Sequence, residues 1–172
     1  MGFFDRLFGS RAEAAEEARF SGEKMVVKAP IDGIVLPLEQ LPDETFAAVI
    51  LGPGCGIEPT GDTVFAPFDG RVVSVASTLH AIGLESDEGI ELLIHIGMDT
   101  ITLRGSGFTL LVQEGQTVKA GTPLLRVDLD AIRAAGLSTE SAIIVTNADD
   151  LPALHLTAGG IVSAGTPLFR FE

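Results

Sequence analysis

The sequence predicts an all-β protein, an antiparallel β-sandwich or barrel with internal pseudo-repeats and short helices. Two observations predict it. The 172 residues hold 20 Gly and 9 Pro among many Val, Ile and Thr, a mixture that makes short strands and tight turns. Two turn-and-strand units are also each written twice. Ala29-Pro30-Ile31-Asp32-Gly33-Ile34-Val35 returns as Ala66-Pro67-Phe68-Asp69-Gly70-Arg71-Val72, and Val118-Lys119-Ala120-Gly121-Thr122-Pro123-Leu124 as Val162-Ser163-Ala164-Gly165-Thr166-Pro167-Leu168. Two copies of each are too few for a solenoid and fit a pseudo-symmetric sheet structure.

The first segment, residues 1–24, reads as an amphipathic tail and linker. Phe3, Phe4, Leu7 and Phe8 fall at helical spacing around Asp5 and Arg6. Such a stripe can lie on a membrane surface or pack on its own domain. Gly9 to Lys24 is a charged linker rich in Ala, Glu and Arg. One domain is expected over 25–172.

Within that domain the expected strands are Ile34 to Leu38, Val64 to Ala66, Arg71 to Ala76, Glu91 to Ile96, Leu124 to Val127, Ala142 to Thr146 and Leu168 to Phe171. The Pro-Ile-Asp-Gly and Pro-Phe-Asp-Gly segments are turns: Pro fixes one torsion, Asp bonds nearby backbone, and Gly allows positive φ. Short helices are expected over Asp99 to Leu103 and Leu129 to Ala135, the second capped by Asp128 or Asp130.

Composition narrows the function. The formal net charge of −13 argues against nucleic-acid binding; it suits basic protein partners and equally plain solubility, and charge alone does not choose between the two. Cys55 is the single cysteine, so an internal disulfide and a cysteine zinc cage are excluded, which fits a reducing compartment. No apolar run is long enough to span a bilayer, and the N-terminus lacks a secretory pattern. Met1-Gly2 begins like a myristoylation site, but Arg6 stands where Ser or Thr is needed. A soluble cytoplasmic protein is expected.

Three histidines could carry chemistry. His95 sits in the apolar run Leu92-Leu93-Ile94-His95-Ile96-Gly97-Met98, and Gly97 leaves space beside it for another molecule. His80 lies 15 residues earlier, and Glu85 to Gly89 contain a turn sequence between them. If the flanking strands pair as a hairpin, the two imidazoles meet on one face. Thr78 adds a hydroxyl near His80, and Asp99 a carboxylate four residues after His95. Paired imidazoles permit metal binding, given a third ligand, or nucleophilic attack on phosphorus. In the second case an apolar rim would protect the N–P bond from water. His155 has nothing converging on it and reads as structural or exposed.

Gly89-Ile90-Glu91-Leu92-Leu93-Ile94-His95-Ile96-Gly97-Met98-Asp99-Thr100-Ile101 closely resembles the active-site signature of the glucose-type IIA component of the phosphoenolpyruvate-dependent sugar phosphotransferase system. Pro59-Thr60-Gly61, Ala66 to Gly70, Thr78-Leu79-His80-Ala81 and Glu114-Gly115-Gln116 extend the resemblance, which covers roughly Met25 to Phe171. The first seven residues resemble the amphipathic tail of free-standing members. The resemblance implies a duplicated antiparallel β-sandwich. It implies that His95 accepts a phosphoryl group through Nε2 from phosphohistidine of the carrier HPr, and that a cysteine on a IIB domain of a sugar permease receives it. It further implies that His80 contacts the phosphoryl group, that Thr78 orients His80, and that Asp99 lies beside the site. No cofactor is obligatory. In some members the two histidines join a zinc site completed by a partner's carboxylate, which makes His80 and His95 conditional metal ligands.

The partner face implied by the resemblance includes Phe46, Leu51, Leu93 and Ile101. Glu44 and Thr45 stand where valines are usual in enteric members, and Ala76 where Phe is usual, so the enteric regulatory targets do not carry over directly. Two other readings compete. A zinc endopeptidase of related β fold needs a His-x-His pair, but Leu93 and Gly97 flank His95 at that spacing. A non-catalytic binding module is the other: the Ala-Gly-Thr-Pro-Leu turns resemble those of biotin and lipoate carriers, yet neither Lys24 nor Lys119 sits in the required hairpin.

Overall fold

The duplicated words of the sequence are the places where two halves of the chain grip each other. The computed structural model describes Phe20 and residues 24–172. The apolar stripe of Phe3, Phe4, Leu7 and Phe8 lies outside the described residues. The strands are β1 (Val26–Lys28), β2 (Gly33–Leu36), β3 (Gly54–Pro59), β4 (Thr63–Phe65), β5 (Gly70–Val75), β6 (Ala81–Ser86), β7 (Glu91–His95), β8 (Phe108–Leu110), β9 (Thr117–Val118), β10 (Pro123–Val127), β11 (Ser141–Val145), β12 (Leu154–Leu156), β13 (Gly160–Val162) and β14 (Pro167–Phe171). They form an eight-stranded sheet in the order β13-β2-β3-β11-β7-β6-β5-β9 and two three-stranded sheets, β1-β14-β12 and β4-β10-β8. Each of these pairings is antiparallel.

The large sheet is built from two like halves about a pseudo-dyad between β11 and β7. The hydrogen bonds repeat across it. Lys28 N–H donates to Pro67 O at 3.1 Å and Phe65 N–H to Pro30 O at 2.7 Å. Gly165 N–H donates to Ala29 O at 2.9 Å, and Gly121 N–H to Ala66 O at 2.8 Å. Asp32 Oδ1 accepts from Ala164 N–H at 2.7 Å, and Asp69 Oδ1 from Ala120 N–H at 2.8 Å. Each Pro-x-Asp-Gly turn therefore supplies the carboxylate that caps an Ala-Gly-Thr-Pro turn. Buried backbone donors must find acceptors, so these words recur together.

Period-two alternation sorts the side chains of the central strands. Leu92 and Ile94 of β7, with Ile143 and Val145 of β11, enter the main core. Ala142 and Ile144 face the opposite side and join Leu38, Leu41, Phe46 and Met98 in a second, smaller cluster, with Leu93 packed against it. Each fully buried Leu or Ile contributes about 1.5–3 kcal/mol of hydrophobic free energy. His95, two residues from Leu93, shares this outer face.

All seven expected strands are present; four end one residue short of expectation and one ends two short. The strand expected to reach Leu38 ends at Leu36, because Pro37 brings no N–H donor and opens a 3-10 turn over Leu38–Gln40. Short strands such as β9 and β13 and the glycine-bearing β3 carry too weak a pattern to be read from sequence. In β3 the glycine is required by close approach: a Cβ on Gly54 would stand 1.9 Å from Ile143 O. Helix α1 (Glu44–Ala47) is capped by Asp43, and α2 (Leu129–Ala134) by Asp128, whose carboxylate accepts from Ala131 N–H. The helix expected at Asp99 is a 3-10 turn over Thr100–Leu103. Among the described residues no helix is long and apolar enough to cross a membrane.

Candidate active site

The β6–β7 hairpin brings the two central histidines together. Gly89, at φ 91, closes its turn, with Gly89 N–H donating to Ser86 O at 3.0 Å. The register sets Ala81 opposite His95 and Gly83 opposite Leu93. On the other side Ala142 of β11 is the partner of His95. Small residues on both flanks leave the imidazole room on the outer face. His80 directly precedes β6, and its carbonyl accepts Ile96 N–H at 2.8 Å. Before it, Leu79 takes φ 62, a left-handed turn conformation that costs a side-chain-bearing residue energy.

The rings meet edge to face, with centroids 4.8 Å apart and planes at 80°. His80 is only 7% exposed, and Thr78 Oγ1 lies 2.7 Å from its Nδ1. Phe46 packs its ring on His95, with centroids 4.9 Å apart. Burial lowers the pKa of His80 below the ordinary imidazole value. Burial lowers that of His95 first and the neighbouring His80 second, while the Gly97 backbone, the Asp43 charge and its own backbone pull the other way. Both rings are therefore neutral at neutral pH. A neutral imidazole keeps one nitrogen lone pair, the form that attacks phosphorus.

The other expected site residues divide. Asp99 is exposed and left-handed at φ 58, and its side chain makes no cap bond. It lines a cleft with Asp43, Glu44, Met98 and Ser138, but touches neither imidazole by any hydrogen bond or ion pair among the described residues. Asp43, which the sequence reading missed, is the carboxylate whose charge reaches His95. Its one local signal was its place as a cap before Glu44-Thr45-Phe46. Of the four partner-face residues, Phe46 is 4% exposed and Leu93 is half-buried, whereas Leu51 and Ile101 are 40% and 58% exposed. Val49 and Ile50 extend the exposed apolar surface next to Leu51. His155, on β12, is exposed as expected.

The pseudo-dyad explains why one site exists rather than two. Ile96 N–H donates to His80 O at 2.8 Å, and its counterpart Val145 N–H donates to Pro53 O at 2.9 Å. The cross-strand pair His95–Ala142 corresponds to Ile144–Leu93. Pro53 and Ile144 thus occupy in one half the positions of His80 and His95 in the other. The scaffold is duplicated and the chemistry is not.

Two histidines do not make a metal site alone. Among the described residues no group of three or more His, Cys, Asp or Glu side chains could hold an ion. A zinc site needs three or four protein ligands, so these residues do not fit a resident zinc. Cys55 is buried in the core, and its thiol is pushed up to about 12 by burial, which removes it from nucleophilic chemistry near neutral pH.

Comparison with known proteins agrees with this geometry. A family model described as phosphoenolpyruvate-dependent sugar phosphotransferase system, EIIA 1, matches residues 25–151. The N-acetylglucosamine-specific EIICBA component of Klebsiella pneumoniae is 43% identical over 164 residues, covering 94% of this chain but only 25% of that longer protein. The glucose-specific EIIA component of Staphylococcus epidermidis is 40% identical over 153 residues, 89% of this chain and 88% of the relative. The solved structure of glucose permease IIA from Mycoplasma capricolum superposes with a TM-score of 0.80 at 36% identity, covering 86% of this chain and 96% of the other. The paired-histidine hairpin on this sandwich is carried by a chain that belongs to the EIIA 1 family of the phosphoenolpyruvate-dependent sugar phosphotransferase system, the phosphocarrier component of sugar uptake.

Proposed function

We propose that His95 is the phosphoryl acceptor of this carrier, taking the group from phosphohistidine of HPr and passing it to a cysteine of a IIB domain of a sugar permease. The observation that carries this reading is the edge-to-face pair of neutral imidazoles, with His95 half-buried and His80 buried and tied to Thr78. In the forward step the N–P bond of the donor breaks as an Nε2–P bond forms on His95, and the donor imidazole keeps the electron pair. His80 hydrogen-bonds the phosphoryl oxygens, and Thr78 holds its ring. Such transfer depends on positioning and charge stabilisation rather than elaborate covalent machinery. Phe46 and Leu93 keep water from the N–P bond, and Asp99 and Asp43 set an acidic rim that suits a basic partner surface.

Residues 25–172 form the carrier domain and act in the cytoplasm, and residues 1–24 give peripheral contact with the membrane that holds the permease. The exposed Leu51 and Ile101 belong to the docking face, and regulatory proteins would use the same face. Zinc enters only if a partner supplies further ligands to His80 and His95. The test is incubation with phosphoenolpyruvate, the first enzyme of the system and HPr, followed by mass spectrometry for acid-labile phosphate. Label on His95, absent from His95→Ala, is the expected result; full labelling of that variant overturns the assignment. Deletion of residues 1–9 should leave acceptance intact and slow transfer to permease in vesicles.

A further inference from the structure

The two ends of the eight-stranded sheet are related by the pseudo-dyad but are finished differently. At one end β9 pairs with β5, and the outer row reads Thr117, Arg71 and Glu85, with Arg71 Nη2 3.3 Å from Glu85 Oε2. At the other end β13 pairs with β2, and the same row reads Ile161, Ile34 and Glu58. Glu58 is turned to other partners: Thr139 Oγ1 donates to it, and Arg133 lies 3.8 Å away. Ile161 is 86% exposed and Ile34 39%, while Val162 and Val35 beside them enter the core. Period-two alternation therefore leaves two isoleucines side by side on the outer face, at the last strand of the sheet.

The sequence removes charge from the same place. From Leu151 to Phe169 there is no Asp, Glu, Lys or Arg, the longest such run in a chain whose formal net charge is −13. The dyad-related run, Gly107 to Leu125, carries Glu114 and Lys119. The uncharged run contains both β12 and β13, which are edge strands of two different sheets. Leu156 of β12 is exposed, and a Cβ on Gly159 or Gly160 between the two strands would meet nothing within 4 Å. Open edges are normally guarded by a charge, a proline or a bulge, because their unpaired N–H and C=O groups template a further strand. β13, Gly-Ile-Val in regular register, carries none of these guards.

We propose that β13 is the contact strand of a homodimer, pairing antiparallel with β13 of a second copy across a two-fold axis. Two chains of charge −13 repel each other, and a two-fold contact sets a surface against itself, so any like charges in it would meet. The uncharged edge is where a second acidic copy can approach, and Ile161 and Ile34 of each copy supply matching apolar surface. A basic partner is drawn instead to acidic surface such as that of Asp43 and Asp99. β13 lies four strands from β7 in the sheet order, a span of about 19 Å, so His95 stays open in the dimer. Two short strands make a small interface, and the dimer is weak, with Kd on the order of 100 μM.

The experiment is sedimentation equilibrium of the full chain from about 10 μM to about 1 mM, beside Ile161→Lys and Ile161→Thr. The natural chain should move from the monomer mass towards twice that mass. Raising NaCl from about 0.05 M to about 0.5 M should tighten the dimer several-fold, because salt screens the repulsion between acidic chains while the contact holds no ion pair. Ile161→Lys sets like charges at the axis and should raise Kd at least tenfold. Ile161→Thr, which brings the residue of the other edge without a charge, should raise it about fivefold. Both variants should keep the Tm and the phosphate acceptance of the natural chain, since the side chain is exposed. A natural chain still monomeric at about 1 mM, a dimer unchanged in Ile161→Lys, or a dimer loosened by salt overturns the proposal. Slow hydrogen exchange at the Ile161 amide that is the same at both ends of the concentration range also overturns it, because residues of the same chain would then cover the edge.

Discussion

The hydroxyl oxygen of Thr78 stands 2.7 Å from Nδ1 of His80, two residues along the same turn. Because Nδ1 is engaged there, Nε2 is the nitrogen of His80 left for the phosphoryl group. Thr78→Val keeps the shape and removes the hydrogen bond. One neutral hydrogen bond contributes about 1 kcal/mol, so onward transfer from His95 should slow about fivefold while acceptance persists. Single-turnover transfer to a IIB domain measures this, and an unchanged rate would take Thr78 out of the mechanism.

Gly97 is the site residue least tolerant of a side chain. Its φ is 71, and an added Cβ would lie 2.4 Å from Thr100 Cγ2 and 2.9 Å from Ser138 O. Left-handed strain alone costs about 1–3 kcal/mol, and the overlap with fully buried Thr100 adds to it. Gly97→Ala should lower Tm by several degrees or more in calorimetry. A Tm within one degree of the original would show that the turn yields more easily than its bonds suggest.

The site was legible in the sequence to the extent that it is local. His80 and His95 flank a turn ending in Gly89, and hairpin pairing follows from chain order. The register, Ala81 opposite His95, could not be read, because Ala81 and Gly83 make β6 look like a poor strand. Those small residues are the ones that leave room for the ring. Phe46 of α1 and Asp43, its cap, arrive from about fifty residues upstream, through packing that no local pattern encodes. Asp99 shows the converse: proximity in sequence set it beside His95, yet the left-handed turn leaves its carboxylate exposed. The two repeated words were legible as repeats, but their purpose, Asp32 and Asp69 capping the opposite turns, needed the fold.

That capping makes a prediction about the scaffold. Asp69 accepts from Ala120 N–H at 2.8 Å, joining residues 51 positions apart, while its contact with Lys119 is long, at 4.0 Å, and exposed. The hydrogen bond, rather than the ion pair, should carry the stabilisation. Asp69→Asn retains a carbonyl acceptor and should lose little. Asp69→Ala removes it and should cost about 1–2 kcal/mol, as loss of a helix cap does. Chemical denaturation of both variants separates the two contributions; equal losses would assign the effect to charge.

The neutral imidazoles also set the response to acid. His95 and His80 both have pKa values lowered in the folded chain from the ordinary 6.5. Above pH 6.5 both states hold these rings neutral, and the pair contributes no pH dependence. As pH falls through 6.5 the unfolded chain takes up protons that the folded chain resists, so unfolding is favoured, and the loss levels off once the folded rings protonate. Tm should therefore drop between pH 7 and pH 5.5 more steeply in the natural chain than in His80→Gln/His95→Gln. The same lowered values predict that phosphoryl acceptance holds its rate somewhat below pH 6.5, since the acceptor stays neutral there. A rate already halved at pH 6.5, or an equal Tm slope in the double variant, would mean that the rings titrate as they do in water and that burial does not govern them.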